Sequence, residues 1–148
     1  MSRIRLEMPE RFQFITEIRL RVSDMNYGGH LGNDAVLAIA QEARMRFLHS
    51  HGWSELDVCG VGIIMTDAAV VYRSEAFYGD LLTIEVSVAD LQQLGCDFLF
   101  RVVNKGSGKE VAQVKTGIVF FDYEKRKPSP VPAEFRNVCN QSALLPPG

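Results

Sequence analysis

Residues 35–48 place apolar side chains on two opposite sides of a single helix. Projected at 100° per residue, Val36, Leu37, Ala40, Ala43 and Phe47 fall on one arc, while Ala35, Ala38, Ile39 and Glu42 lie across from them. A helix apolar on both sides has to be surrounded, and the chain offers only strands to surround it. Phe12, Phe14, Thr16, Ile18, Leu20 and Val22 alternate with polar residues, which is the period of a half-buried strand running to about Asp24. After the helix, Val61 to Arg73 reads as a central strand covered on both faces for part of its length. Leu82, Ile84, Val86 and Val88, then Cys96, Phe98, Phe100 and Val102, then Val111 to Phe121, give three more strands separated by turn residues. The order of strand, long helix and four strands predicts an α+β fold: a curved antiparallel sheet wrapped around one long central helix. One domain, 1–148, is expected, with its core at about 12–132 and an irregular tail over 133–148 after Pro128, Pro130 and Pro132.

Charge and cysteine usage remove several classes of function. Sixteen Lys and Arg against eighteen Asp and Glu leave a net charge of −2, so no overall field favours nucleic acid or an anionic membrane. Cys59, Cys96 and Cys139 are far apart and in no ligand spacing, which argues against a disulfide framework or a metal site and for a reducing compartment. No stretch has the length of a membrane span or the core of a signal peptide, so the cytoplasm is the expected location.

The chemistry concentrates where the first strand meets the helix. Between Asp24 and Asp34 lie three glycines, one histidine, two asparagines and two carboxylates. A sharp turn opening onto a helix sets N–H donors beside polar side chains, an arrangement that receives an anion or a developing oxyanion. Asn33 or Asp34 is the expected cap, and Gly52 the expected helix end. Gly28, Gly29 and Gly32 match no nucleotide motif and read as conformational requirements.

The chain resembles the hotdog-fold acyl-CoA thioesterases of the 4-hydroxybenzoyl-CoA thioesterase-like family. The matching residues are Asp24, Gly29, His30 and Asn33, then Glu42-Ala43-Arg44 with Phe47-Leu48, then Tyr72-Arg73 and Gly79-Asp80, in order over about residues 12–132. The resemblance implies hydrolysis of an acyl-CoA or acyl-carrier thioester by a homo-oligomer, dimer or tetramer, with coenzyme A as part of the substrate and no cofactor or metal. It also exposes a departure, because the position of the family's usual catalytic carboxylate is Asn26. Asparagine has no titrating proton; it can hold a water or hydrogen-bond a thioester carbonyl. Two carboxylates are candidates for the base. Glu42 is similarly placed to the helix glutamate of another hotdog branch, and Asp24 lies two residues before Asn26.

Each candidate also has a plain structural reading. Glu42 can pair with Arg46, Asp24 can cap the turn, and His30 can fix the loop through backbone hydrogen bonds. The oxyanion donors are expected near Gly32 and Asn33, with the acyl group against Met65 and Thr66. Arg73 and Lys125-Arg126-Lys127 read as a solvated edge, with contact to CoA phosphates as the alternative. Two further functions stay open: a non-catalytic acyl-thioester binder, and a hydratase or dehydratase using His30 with Asp24 or Glu42.

Overall fold

The structure, a computed structural model, describes residues 2–142. Its strands are β1 (Phe14–Arg19), β2 (Gly62–Tyr72), β3 (Leu81–Ala89), β4 (Gly95–Asn104), β5 (Glu110–Asp122) and a two-residue β6 (Lys127–Pro128), and its helices are α1 (Asn33–Ser50) and α2 (Ala133–Ser142). All strands pair antiparallel in one sheet of order β1-β3-β4-β5-β2, with β6 beside β5. The period-two residues turn inward as their alternation requires: Leu82, Ile84 and Val86, then Phe98, Phe100 and Val102, then Ala112, Val114 and Phe120 are all buried. Val36, Ile39, Ala40, Ala43, Phe47 and Leu48 of α1 complete this core. Phe47 meets Phe14 and Phe98 edge-on at ring separations of 5.8 and 5.9 Å.

Four expectations are corrected. First, β2 is the outermost strand, not a central one, and Met65 to Ala68 are exposed. Its partner is β5, about fifty residues on, which no short turn announces. Second, α1 is covered on one side only. Leu37, Ala38, Gln41, Glu42, Met45 and Arg46 face away from the sheet. Third, β1 ends at Arg19, and Val22–Asp24 forms a single 3-10 turn. Fourth, residues 133–142 are helical. Phe135 packs on Phe120 and Trp53 at 5.1 and 5.5 Å, and Cys139 is buried, so a second helix closes the sheet end that α1 leaves open. The remainder of the expected tail, 143–148, lies outside the described residues.

The residues before β1 also have a place. Residues 3–6 line one cleft with residues 70–73, at and just beyond the end of β2, and with Gln113 of β5. Gln13 already donates from its backbone N–H to Val86 of β3, at the other side of the sheet. The lead-in is therefore a strap that crosses the sheet from one margin to the other. Gln113 alternates with the inward Ala112 and Val114, so the strap passes on the face away from α1.

Two checks on this packing follow. A Cβ on Gly95 would fall 2.1 Å from the carbonyl oxygen of Ile118, a backbone atom that cannot swing aside. Gly95→Ala should destabilise by about 2 kcal/mol. Thermal unfolding should then fall by roughly 6 °C at this chain length. Burial also raises the thiols of Cys96 and Cys139, the latter to about 12. Ellman's reagent should find only Cys59 in the native protein and all three thiols after unfolding.

Candidate functional site

The Asp24–Asp34 stretch is a hairpin pinned to the segment after β2. Met25 bridges Leu31, His30 bridges Phe77, and the Leu31 N–H donates to the Ala76 carbonyl at 2.8 Å. Gly29 takes the φ of +81° that the tip of the hairpin requires. The Asn26 side-chain oxygen accepts from the Gly28 and His30 N–H groups at 2.9 and 3.2 Å. That leaves the Asn26 amide NH2 as its available donor.

Because residues 30 and 77 are bridged, the side chain of Glu75 arrives beside His30. Nδ1 of His30 is 3.0 Å from Oε1 of Glu75, and the imidazole lies against the Phe77 ring at 5.5 Å. A carboxylate on Nδ1 fixes the tautomer and presents Nε2 as the basic nitrogen. The pair lies on a cleft of about 420 Å³ between the start of α1 and the end of β2, with Asn26, Asn33, Tyr72 and Arg73 among its other walls. The Tyr72 hydroxyl donates to the Asn33 carbonyl at 3.0 Å and ties the end of β2 to the first residue of α1.

The helix start differs from the expectation of a side-chain cap. Gly32 is the N-cap, and no side chain caps the helix. The Gly32 N–H donates to the Asp24 carbonyl at 3.0 Å, so it is occupied inside the hairpin and unavailable to an oxyanion. The N–H groups of Asn33 and Asp34 have no acceptor among the described residues, as expected for the first turn of an uncapped helix.

The other expected site residues lie elsewhere in the single chain. Asp24 is buried, and its carboxylate accepts from the Arg21 N–H at 2.7 Å, the turn-capping role. Glu42 is about half exposed in the single chain and pairs with Arg46 at 2.8 Å. These two carboxylates line a different cleft, between β1 and the outer face of α1. Met65 approaches the Arg44 guanidinium at 3.7 Å. Thr66 sits at a bulge in β2, next to Asp67, whose carboxylate Lys115 holds below the usual range. No group of three His, Cys, Asp or Glu that could hold a metal occurs among the described residues.

The model of the thioesterase-like superfamily matches residues 20–138. The chain belongs to that superfamily. No curated protein matches the sequence significantly. Among solved structures, a 1,4-dihydroxy-2-naphthoyl-CoA thioesterase from Synechocystis is 18% identical at a TM-score of 0.78, with 86% of this chain and 95% of that one covered. A Staphylococcus aureus protein solved in complex with CoA gives 0.81 at 16% identity, over 97% and 91% of the two chains. A DHNA-CoA thioesterase, also from Staphylococcus aureus, gives 0.76 at 19% identity, over 86% and 88%. These likenesses establish the hotdog fold, an antiparallel sheet with two helices.

Two residues of this superfamily member escaped the sequence reading. Glu75 follows β2, and nothing local marks it as the partner of a histidine 45 positions earlier. Arg44 was noted only as part of a motif. It is almost fully buried, 2.6 Å from Glu55 and 3.3 Å from the Thr116 hydroxyl. Its position on the Ala40–Ala43–Phe47 face of α1 was the available signal.

Proposed function

We propose that the protein hydrolyses an acyl-CoA thioester in the cleft at the start of α1. The observation that carries this is the His30–Glu75 pair on the same cleft as Asn33, the first residue of α1. The thioester oxygen sits on the N–H groups of Asn33 and Asp34, where charge on a tetrahedral intermediate meets the positive end of the helix. The Asn26 NH2 group adds a third donor. Water attacks the carbonyl carbon while Nε2 of His30 takes its proton, with Glu75 holding Nδ1. Collapse of the intermediate breaks the carbon–sulfur bond, and the imidazolium returns the proton to the departing thiolate. One water and one thioester give one carboxylic acid and one thiol, with no metal or redox cofactor in the reaction. Glu42 and Asp24 remain the competing bases, in the neighbouring cleft.

A homodimer is part of this reading. Among the described residues β2 pairs as a strand only with β5, so beyond the Ile63 N–H bond to Glu55 its other side carries unpaired peptide groups, and Met65 to Ala68 are exposed along it. A second copy related by a two-fold axis pairs that edge with its own. Light scattering should give twice 16.6 kDa, and a single-chain mass rejects the dimer. Three free thiols suit the cytoplasm.

The decisive experiment is release of free thiol from a panel of aliphatic and aromatic acyl-CoAs. Glu75→Gln should lower kcat by about tenfold, since it weakens orientation and leaves the base in place. No thiol release from any acyl-CoA leaves the non-catalytic binder as the surviving function. His30–Glu75 is also the His/carboxylate pair that a hydratase needs, so loss of enoyl absorbance with a crotonyl thioester is the second assay.

A further inference from the structure

A second cleft, of about 720 Å³, lies where the strap meets β2. Its walls include Arg3 and Arg5 from the strap, Val71 and Tyr72 from β2, Arg73 just after it, and Gln113 from β5. Three arginines line it, and the carboxylate bonded to its walls is that of Glu110, which meets Arg73 and Gln113. The protein as a whole carries a net charge of −2, so this concentration of positive charge is local. Arg73 is partly neutralised by Glu110 at 3.3 Å. Arg3 and Arg5 have no ion-pair partner among the described residues, and both are exposed. Apolar surface accompanies the charge: Ile4 and the Tyr72 ring are each more than half exposed, and Val70 lines the same cavity. Tyr72 and Arg73 are also walls of the cleft that holds His30, so the two cavities share a boundary.

We infer that the strap cleft binds a polyphosphorylated nucleoside, the adenosine bisphosphate end of the CoA leaving group. The inference rests on the thioesterase reading for its ligand and on the arginines for its chemistry. Guanidinium groups bind phosphate oxygens through paired, charge-assisted hydrogen bonds, and Arg3 and Arg5 are free to make them. The base has Ile4, Leu6 and Val71 to lie against. The pantetheine arm then runs past Tyr72 and Arg73 into the first cleft, with its sulfur at the carbonyl site. The strap thereby becomes a specificity element. A thioester lacking the nucleotide, such as acyl-pantetheine, finds the reaction centre and misses the arginines.

The test compares acyl-CoA with acyl-pantetheine in the full-length protein and in an Arg3→Ala/Arg5→Ala variant, with direct calorimetric titration of adenosine 3′,5′-bisphosphate alongside. In the native protein the KM for acyl-CoA should be at least about tenfold below that for acyl-pantetheine. In the double variant this advantage should collapse, and affinity for the bisphosphate should fall by about tenfold or more. Arg3→Lys/Arg5→Lys should recover part of both, and added salt should erode the native advantage. Equal KM values in the native protein, or an advantage that survives the double alanine variant, overturns the inference. The bisphosphate titration separates this result from the fate of the catalytic reading. Binding that depends on Arg3 and Arg5 supports the nucleotide site even if no thioester is hydrolysed, and absence of binding overturns it even if hydrolysis is fast.

Discussion

Replacement of His30 by glutamine should lower kcat/KM for a good acyl-CoA substrate by at least about 100-fold, roughly 2.7 kcal/mol of transition-state stabilisation. Glutamine keeps a polar side chain against Glu75 and Phe77 but has no nitrogen that accepts a proton in the working range. The hairpin should survive, because its backbone bridges and the Asn26 contacts use the main chain of residue 30 and not its ring. A melting temperature close to native, together with the loss in rate, separates chemistry from folding. The competing bases supply the counter-test. If Glu42→Gln or Asp24→Asn abolishes turnover while His30→Gln leaves it within a few-fold of native, the proton goes to a carboxylate in the neighbouring cleft. The imidazole is then a loop fixture.

The second large effect concerns Arg44. Its guanidinium is enclosed between α1 and the sheet, where Glu55 at 2.6 Å balances its charge and Thr116 and Met65 take the rest of its contacts. Glu55→Ala should destabilise the fold by about 3 kcal/mol, because it leaves a buried cation without its counter-charge. The figure is set at the lower end of the range for such losses, since about a fifth of the Glu55 side chain still reaches water. Urea titration should show the midpoint falling at unchanged slope. Arg44→Met/Glu55→Gln removes both charges and should restore most of the loss. A single-variant loss below about 1 kcal/mol means that water reaches Arg44 and that the pair is an ordinary surface contact.

The sheet interior was legible because period-two alternation states a strand and its inward face together. β3, β4 and β5 needed nothing more, and their short turns identified their neighbours. The pairing of β2 with β5 was not legible, since an apolar composition neither separates a doubly covered strand from an edge strand nor says what lies beside it. α2 had signals that were passed over. Pro132 precedes Ala133, Glu134 suits a first helical turn, and Phe135, Val138 and Cys139 recur at helical spacing. Pro128, Pro130 and Pro132 together state a stop more loudly than a helix start. At the site, local chemistry was readable and long-range partnership was not. The Arg46–Glu42 pair, four residues apart, was anticipated. The arrival of Glu75 at His30 depends on a bridge between segments that only the folded sheet brings together. Gly32 was read as a donor because the sequence does not show which carbonyls a hairpin will turn inward.

The route of the strap bears on how the protein is made. Arg3 and Arg5 precede β1 in the chain, yet the wall they close against includes Gln113. Translation of roughly 110 residues separates these arginines from their destination. Until β5 (Glu110–Asp122) has been made, both charges lack that wall, so the proposed nucleotide cleft cannot form before then.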